Sequence, residues 1–228
     1  MARTSVDEML LTIELEYRFT KGFTGRGSLP PKIMKAMRQV PRDAFVPVDM
    51  KSMAYANTPL PIGNGQTISQ PFIVALMTDM LNPGKDDVIL EVGSGCGYQA
   101  AILSLLAAKV YSIEIIAALA AQTAERLARL GYNNVEVRQS DGYLGWPENS
   151  PFDGIIVTAA AQHIPPPLKE QLAPGGRLVI PVGYQHMPQE LLVLEKDKNG
   201  HFTTRDLLSV SFVPLTGEAQ LHRTGRSD

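Results

Sequence analysis

A chain of 228 residues, 44% hydrophobic and 19% charged, can bury a sizeable core, and one domain over residues 1–228 is the simplest organisation. With 21 Lys and Arg against 23 Asp and Glu the formal charge is −2, so composition offers no generic attraction to nucleic acid. Cys96 is the only cysteine, which excludes an intrachain disulfide and a cysteine metal cluster, and His163, His186, His201 and His222 lack ligand spacing, so no metal site is expected.

Asp7 and Glu8 stand where a secretory leader would be basic, and the longest strongly apolar run, Ala100 to Ala108, is far short of the roughly twenty residues that span a bilayer. A cytoplasmic protein without a membrane or nucleic-acid partner is expected; the sequence leaves the oligomeric state open, with a monomer favoured. Residues 1–60 read as a helical extension. Met9, Leu10, Ile13 and Tyr17 suit one helix; Pro30 and Pro31 open a second, with Ile33, Met34, Met37 and Val40 on one face and Pro41 as its stop. Lys21, Arg26, Lys32, Lys35 and Arg38 lie between Arg18 and Arg42 with no acid among them, which suits either a basic lip for an anionic substrate or a solvated helix face.

Tyr55 to Pro71 is dense in Pro, Gly and Asn and reads as a long irregular loop, a candidate wall for a site. A helix follows from Phe72, with Ile73, Leu76, Met77, Met80 and Leu81 on one stripe and Asn82-Pro83-Gly84 as the stop. Ser69, just before it, suits an N-cap.

Val88 to Gln99 reads V-I-L-E-V-G-S-G-C-G-Y-Q. Val88, Ile89, Leu90 and Val92 suit a strand buried on both faces, and Gly93, Gly95 and Gly97 allow a tight turn and close approach to a ligand. Tyr98, Ala101, Ile102, Leu105 and Leu106 then recur at helical spacing, so the loop sits between a strand and a helix N-terminus, the setting of nucleotide-type cofactor sites. A dinucleotide fingerprint would run G-x-G-x-x-G; this loop runs G-x-G-x-G after Glu91 and resembles motif I of S-adenosylmethionine-dependent methyltransferases. A second strand, Val110 to Ile113, ends in Glu114, about twenty residues past the first glycine, where a doubly wound fold places the acid that takes ribose hydroxyls.

Leu119, Thr123, Leu127 and Leu130 give an amphipathic helix closed by Gly131, and a third strand, Val135 to Arg138, runs into Ser140-Asp141-Gly142. Asp141 can face the same crevice as Glu114 or form an Asp-Gly turn, and the two roles are compatible. Phe152 to Ala161 suit a fourth strand, Pro165 to Ala173 a short helix and Arg177 to Val182 a fifth strand. Leu191 to Glu195 and Phe202 to Val213 flank Asn199-Gly200, which favours a type I′ hairpin, and the tail from Leu221 suits a frayed end. Trp146 is read as a packing residue, with a substrate platform as the competing role.

The stretches P-L-P-I-G-N-G-Q-T-I-S-Q-P, L-E-V-G-S-G-C-G-Y-Q, I-I-V-T-A-A-A, L-A-P-G-G-R-L-V-I-P-V-G and F-V-P-L, with Q-V-P-R-D-A-F-V-P at Gln39 to Pro47, resemble the protein-L-isoaspartate O-methyltransferase family over nearly the whole chain. The resemblance implies a Rossmann-like α/β fold whose last strands are interchanged relative to other methyltransferases. It also implies S-adenosylmethionine as cofactor, with S-adenosyl-L-homocysteine as product, and methylation of the free α-carboxylate of isoaspartyl residues in damaged proteins and peptides, the start of a repair route. By position it puts the active-site serine on Ser69 and cofactor contacts on Thr67, Ile68, Ser69, Glu91, Gly93, Ser94, Gly95, Cys96 and Gly97. Ribose recognition falls on Glu114 with Ile115, and adenine contacts on Asp141 and Gly142. Ile115-Ile116 and Gln162 depart from the Arg or His and the Pro frequent in the family. The competing reading is a methyltransferase of this fold acting on another small-molecule or modified-peptide carboxylate.

Overall fold

The computed structural model describes residues 5–184 and 187–217. His186, His222 and the tail from Leu221 therefore lie outside the described residues. The chain opens with α1 (Val6–Thr24), which starts at a capping box: the Ser5 hydroxyl accepts the Glu8 amide and the Glu8 carboxylate takes the Ser5 amide in return. Gly25, in the left-handed region, ends it, and α2 (Pro31–Gln39) follows with Pro31 in its first turn. Of the basic residues here, Arg26 pairs with Asp79 at 3.3 Å, Lys32 binds the Asn82 side chain and the Pro83 carbonyl, and Arg38 pairs with Asp7. Arg26 and Lys32 thus tie the helical extension to residues further along the chain, and Arg38 ties α2 to α1.

Next comes a difference from the sequence reading. The stretch expected to be irregular contains a hairpin, β1 (Leu60–Gly63) and β2 (Gln66–Ile68), whose tip residues Asn64 and Gly65 both have positive φ, at 52° and 71°. That is the type I′ signature of an Asn-Gly pair. After α3 (Pro71–Leu81) come β3 (Val88–Val92), α4 (Tyr98–Ser104), β4 (Lys109–Glu114), α5 (Ala117–Arg129), β5 (Val135–Gln139), β6 (Phe152–Val157) and α6 (Pro166–Glu170). The chain closes with β7 (Leu172–Val182), β8 (Gln189–Lys196) and β9 (Phe202–Val210).

Seven strands form one sheet in the order β5-β4-β3-β6-β7-β8-β9, parallel through β7 and antiparallel for β8 and β9. The order of the last strands is thus β8 beside β7 and β9 on the edge. Alternation along each strand sends Ile89, Ile156 and Val179 into a core beneath α1 to α4, and Leu90, Val92, Ile155 and Leu178 into a second core with Trp146 and Leu168 of α6. Helices cover both faces, as continuous apolar strands require. Trp146 is a packing residue: its ring meets Tyr111 edge-on at 5.2 Å and the Arg138 guanidinium lies 4.3 Å from its centroid.

Three local expectations are corrected: first, the helix expected over Pro165 to Ala173 ends at Glu170, and the strand expected from Arg177 begins at Leu172. The β8–β9 turn is not type I′, because Asn199 lacks positive φ and only Gly200 has it. The Asp197 side chain accepts the Asn199 and His201 amides at 2.7 and 2.9 Å, and its carbonyl accepts Gly200, which builds a longer turn with glycine in the left-handed position. The fourth strand also ends early, at Val157, because the amides of Ala160 and Ala161 leave the ladder to bond Val213 and Pro181. No helix among the described residues is long and apolar enough to cross a membrane.

Candidate active site

Strand order reverses between β3 and β6, since the chain runs outward through β4 and β5 on one side and through β7 on the other. In open parallel sheets the crevice outside the carboxyl ends of such strands binds ligands. Here those ends carry Gly93, Glu114, Gly142 and Thr158, and a cleft lies among them.

The glycine loop is held from several sides. Gly93 and Ser94 donate their amides to the Ile113 carbonyl at 2.8 and 3.0 Å, and Thr158 Oγ1 donates to the Gly93 carbonyl at 2.6 Å. Thr123 and Arg126 of α5 donate to the carbonyls of Gly95 and Cys96, both at 2.7 Å. A Cβ at Gly93 would stand 2.4 Å from Thr158 Oγ1, so glycine is required for that bond to form. Glu114, only 6% exposed, accepts Gly95 N–H through Oε2 at 2.8 Å and Ile116 N–H through Oε1 at 3.0 Å. Each carboxylate oxygen retains a lone pair for a further donor.

Most of the expected cofactor residues line this one cleft: Thr67, Ile68, Ser69, Gly93, Ser94, Gly95, Cys96, Glu114, Ile115 and Gly142. Gly97 itself caps α4 from the left-handed region at φ 89°, where a Cβ would press on Thr123 Cγ2 at 2.8 Å. Two others stand off the wall. Glu91 is 0% exposed beneath the loop, where Ser112 donates to its Oε2 and Ser94 and Ser112 hydroxyls meet at 2.5 Å; burial pushes its carboxyl up to about 8. Asp141 turns its Oδ1 to the Tyr143 amide at 2.9 Å, the local turn role, and leaves Gly142 on the wall. Burial also raises the Cys96 thiol, so it sits as an inert apolar group.

Sequence reasoning missed Thr158 and the Val213 to Thr216 segment, which folds back over the end of β6 through Ala160 N–H to Val213 and Leu215 N–H to Ala160, both at 2.8 Å. Thr158 was open to the strand-end rule applied to Glu114; the fold-back is non-local and carries no such signal. The hairpin β1–β2 covers the loop, with Ile62 Cδ1 only 3.4 Å from where a Gly95 Cβ would stand.

A second cleft of about 520 Å³ adjoins the first and is bordered by Glu16 of α1, Phe72 and Ile73 of α3 and the Leu208 to Val213 segment. Thr67, Ser69, Thr158 and Val213 line both. Ser69 therefore stands at the seam. It is not the helix cap: Gln70 occupies that position, no side chain of its own closes the turn, and the free amide of Phe72 is taken by Asn57 Oδ1 at 3.0 Å. Pro71 lacks an amide hydrogen and holds Gln70 extended, so the first amide in need of a partner falls beyond Ser69.

The sheet order, with a glycine loop and a strand-end carboxylate facing one crevice, defines a Rossmann-like S-adenosylmethionine-dependent methyltransferase. The cofactor's chemistry fits the residues present: among the described residues Glu114 is the one charged side chain lining the cleft and no Lys or Arg does, which suits a sulfonium with a ribose diol, while Ile113, Ile115, Ile116 and Leu215 offer apolar surface to a base. A family model described as protein-L-isoaspartate(D-aspartate) O-methyltransferase matches residues 23–220, and the chain belongs to that family. It is 58% identical over 92% of its length, and 85% of the relative's, to protein-L-isoaspartate O-methyltransferase 2 of Syntrophobacter fumaroxidans, and 56% identical over 94% of its length, and 97% of the relative's, to the protein of the same name from Nitrosococcus oceani. Among solved structures, a protein-L-isoaspartate O-methyltransferase superimposes with a TM-score of 0.80 at 26% identity, over 93% of this chain and 66% of that one. A Plasmodium falciparum protein described as a putative enzyme of this kind, in complex with S-adenosyl-L-homocysteine, gives a TM-score of 0.73 at 26% identity, over 89% of this chain and 96% of that one.

Proposed function

We propose that this chain methylates the free α-carboxylate of L-isoaspartyl residues in damaged proteins and peptides, with the donor in the first cleft, the acceptor in the second and Ser69 between them. The single observation that carries the arrangement is that Ser69 lines both clefts. S-adenosylmethionine, when bound, supplies a methyl group already activated by its sulfonium. The acceptor is ionised at neutral pH, so the protein needs no strong base to generate the nucleophile.

What remains for the chain is alignment and exclusion of water. Glu114 would hold the ribose, and the stapled loop Gly93 to Gly97 would let its backbone approach the cofactor without reorganising. Ile115 and Gly142 would border the base. Ser69 would donate its hydroxyl hydrogen to one acceptor carboxylate oxygen, leaving the other to face the methyl group. Thr67 flanks it on the seam, and the β1–β2 hairpin shields the loop from bulk water. The test is transfer of methyl from labelled cofactor to an isoaspartyl peptide and its aspartyl isomer.

A further inference from the structure

We propose that Arg42 is a positioning residue that locks the acceptor-side loop to the cofactor loop, an inference that rests on the functional reading above. Arg42 is fully buried, and among the described residues no carboxylate lies within ion-pair distance of it. A buried guanidinium without a counter-ion is costly, and an apolar side chain of similar volume would pack more cheaply. Its bonds show what the fold gains. Nε donates to the Ala54 carbonyl at 2.8 Å, Nη2 donates to the Ser69 carbonyl at 2.7 Å, and the guanidinium carbon lies 4.8 Å from the centroid of the Tyr98 ring.

These contacts bridge the two halves of the site. Ser69 belongs to the short link between β2 and α3 and lines both clefts; Tyr98 follows the last glycine of the cofactor loop and lines the first. Fixing the Ser69 carbonyl fixes the plane of the Ser69–Gln70 peptide. Pro71 restricts Gln70, and Asn57 holds the Phe72 amide while its Nδ2 reaches Glu16 in the second cleft at 3.3 Å. Ser69 is thereby pinned on its carbonyl side by Arg42 and just beyond by Asn57. A planar fork is needed, because one group must reach two carbonyls while stacking on a ring, which a lysine ammonium cannot do.

The test is a double-mutant cycle on the full chain with Arg42→Lys, Ser69→Ala and the pair, measuring kcat, KM for an isoaspartyl peptide, S-adenosylmethionine affinity by calorimetry and melting temperature. Arg42→Lys should lower kcat by roughly tenfold or more, with cofactor affinity within about threefold of wild type. In the Ser69→Ala background the same change should cost little further, because Arg42 acts through Ser69. Wild-type kcat in Arg42→Lys, or losses that multiply independently, would overturn the proposal. Should Arg42→Lys not fold, side-chain ¹⁵N NMR of the wild-type complex with S-adenosyl-L-homocysteine decides: the signal of Arg42 Nη2, which bonds the Ser69 carbonyl, should shift on adding isoaspartyl peptide, and a static signal overturns the role. An inactive wild-type protein that still binds cofactor would instead refute the functional reading, and the positioning role with it.

Discussion

Glu114 accepts the Gly95 amide at 2.8 Å, so the carboxylate at the end of β4 both faces the cofactor cleft and fixes the glycine loop that forms its floor. Loss of the charge therefore acts twice. Glu114→Ala should weaken S-adenosylmethionine by about 1 to 3 kcal/mol through charge-assisted hydrogen bonds. Calorimetric titration of the folded variant checks this, and unchanged affinity removes Glu114 from the site.

Gly95 stands at φ 51°, and the one atom close to where its Cβ would stand is Ile62 Cδ1, at 3.4 Å. Gly95→Val should leave a folded protein carrying roughly 1 to 2 kcal/mol of backbone strain, and should abolish measurable cofactor binding. Retained affinity would show that the loop backbone does not approach the ligand.

Ser69 and Asn57 separate chemistry from stability. Because Asn57 takes the Phe72 amide, Asn57→Ala should lower stability by about 1 kcal/mol, as loss of a helix cap does. Ser69→Ala should leave the melting temperature nearly unchanged while turnover falls by roughly ten to a thousandfold. A lowered melting point with normal kcat for Ser69→Ala would return that residue to a structural role.

Glu91 supplies a pH signature. Its carboxyl is raised from 4.5 to about 8 by burial, so between these values the folded state holds a proton that the unfolded state has released. Stability contributed by this group is complete below about pH 4.5 and is lost as pH rises towards 8, by about 1.4 kcal/mol per unit within that window. Glu91→Gln should flatten this slope and be more stable than wild type at about pH 8 to 9; parallel stability curves for the two proteins would show that Glu91 does not titrate in this range.

Legibility in the sequence followed locality. The strands β3 to β6, the second half of β7 from Arg177, the glycine loop and Glu114 were readable because apolar runs, glycines and a strand-end acid are local signals of a doubly wound fold, whereas Pro174-Gly175-Gly176 disguised the first half of β7 as a turn. The β1–β2 hairpin was readable too, since Asn64-Gly65 carries the I′ signature, but the surrounding prolines masked it. The Asn199-Gly200 pair misled because Asp197 offers its side chain to two amides, a competing local interaction. The cap of α3 and the wall contributed by Val213 to Thr216 depend on contacts distant in sequence. The same holds for buried Arg42, whose partners Ala54, Ser69 and Tyr98 lie 12 or more residues along the chain.

Selectivity for the isoaspartyl carboxylate at the Ser69 seam is what the proposed arrangement of the two clefts stands on. The isoaspartyl linkage carries the chain through the β-carbon and leaves an α-carboxylate closer to the backbone than a normal aspartate side chain. The decisive measurement is methyl transfer to matched peptides that differ only in that linkage, with the product tested for base lability. A base-labile methyl ester is expected, with a kcat/KM for the isoaspartyl peptide roughly a hundredfold or more above that for the aspartyl isomer. Equal rates on the two peptides, or a base-stable product, would contradict it.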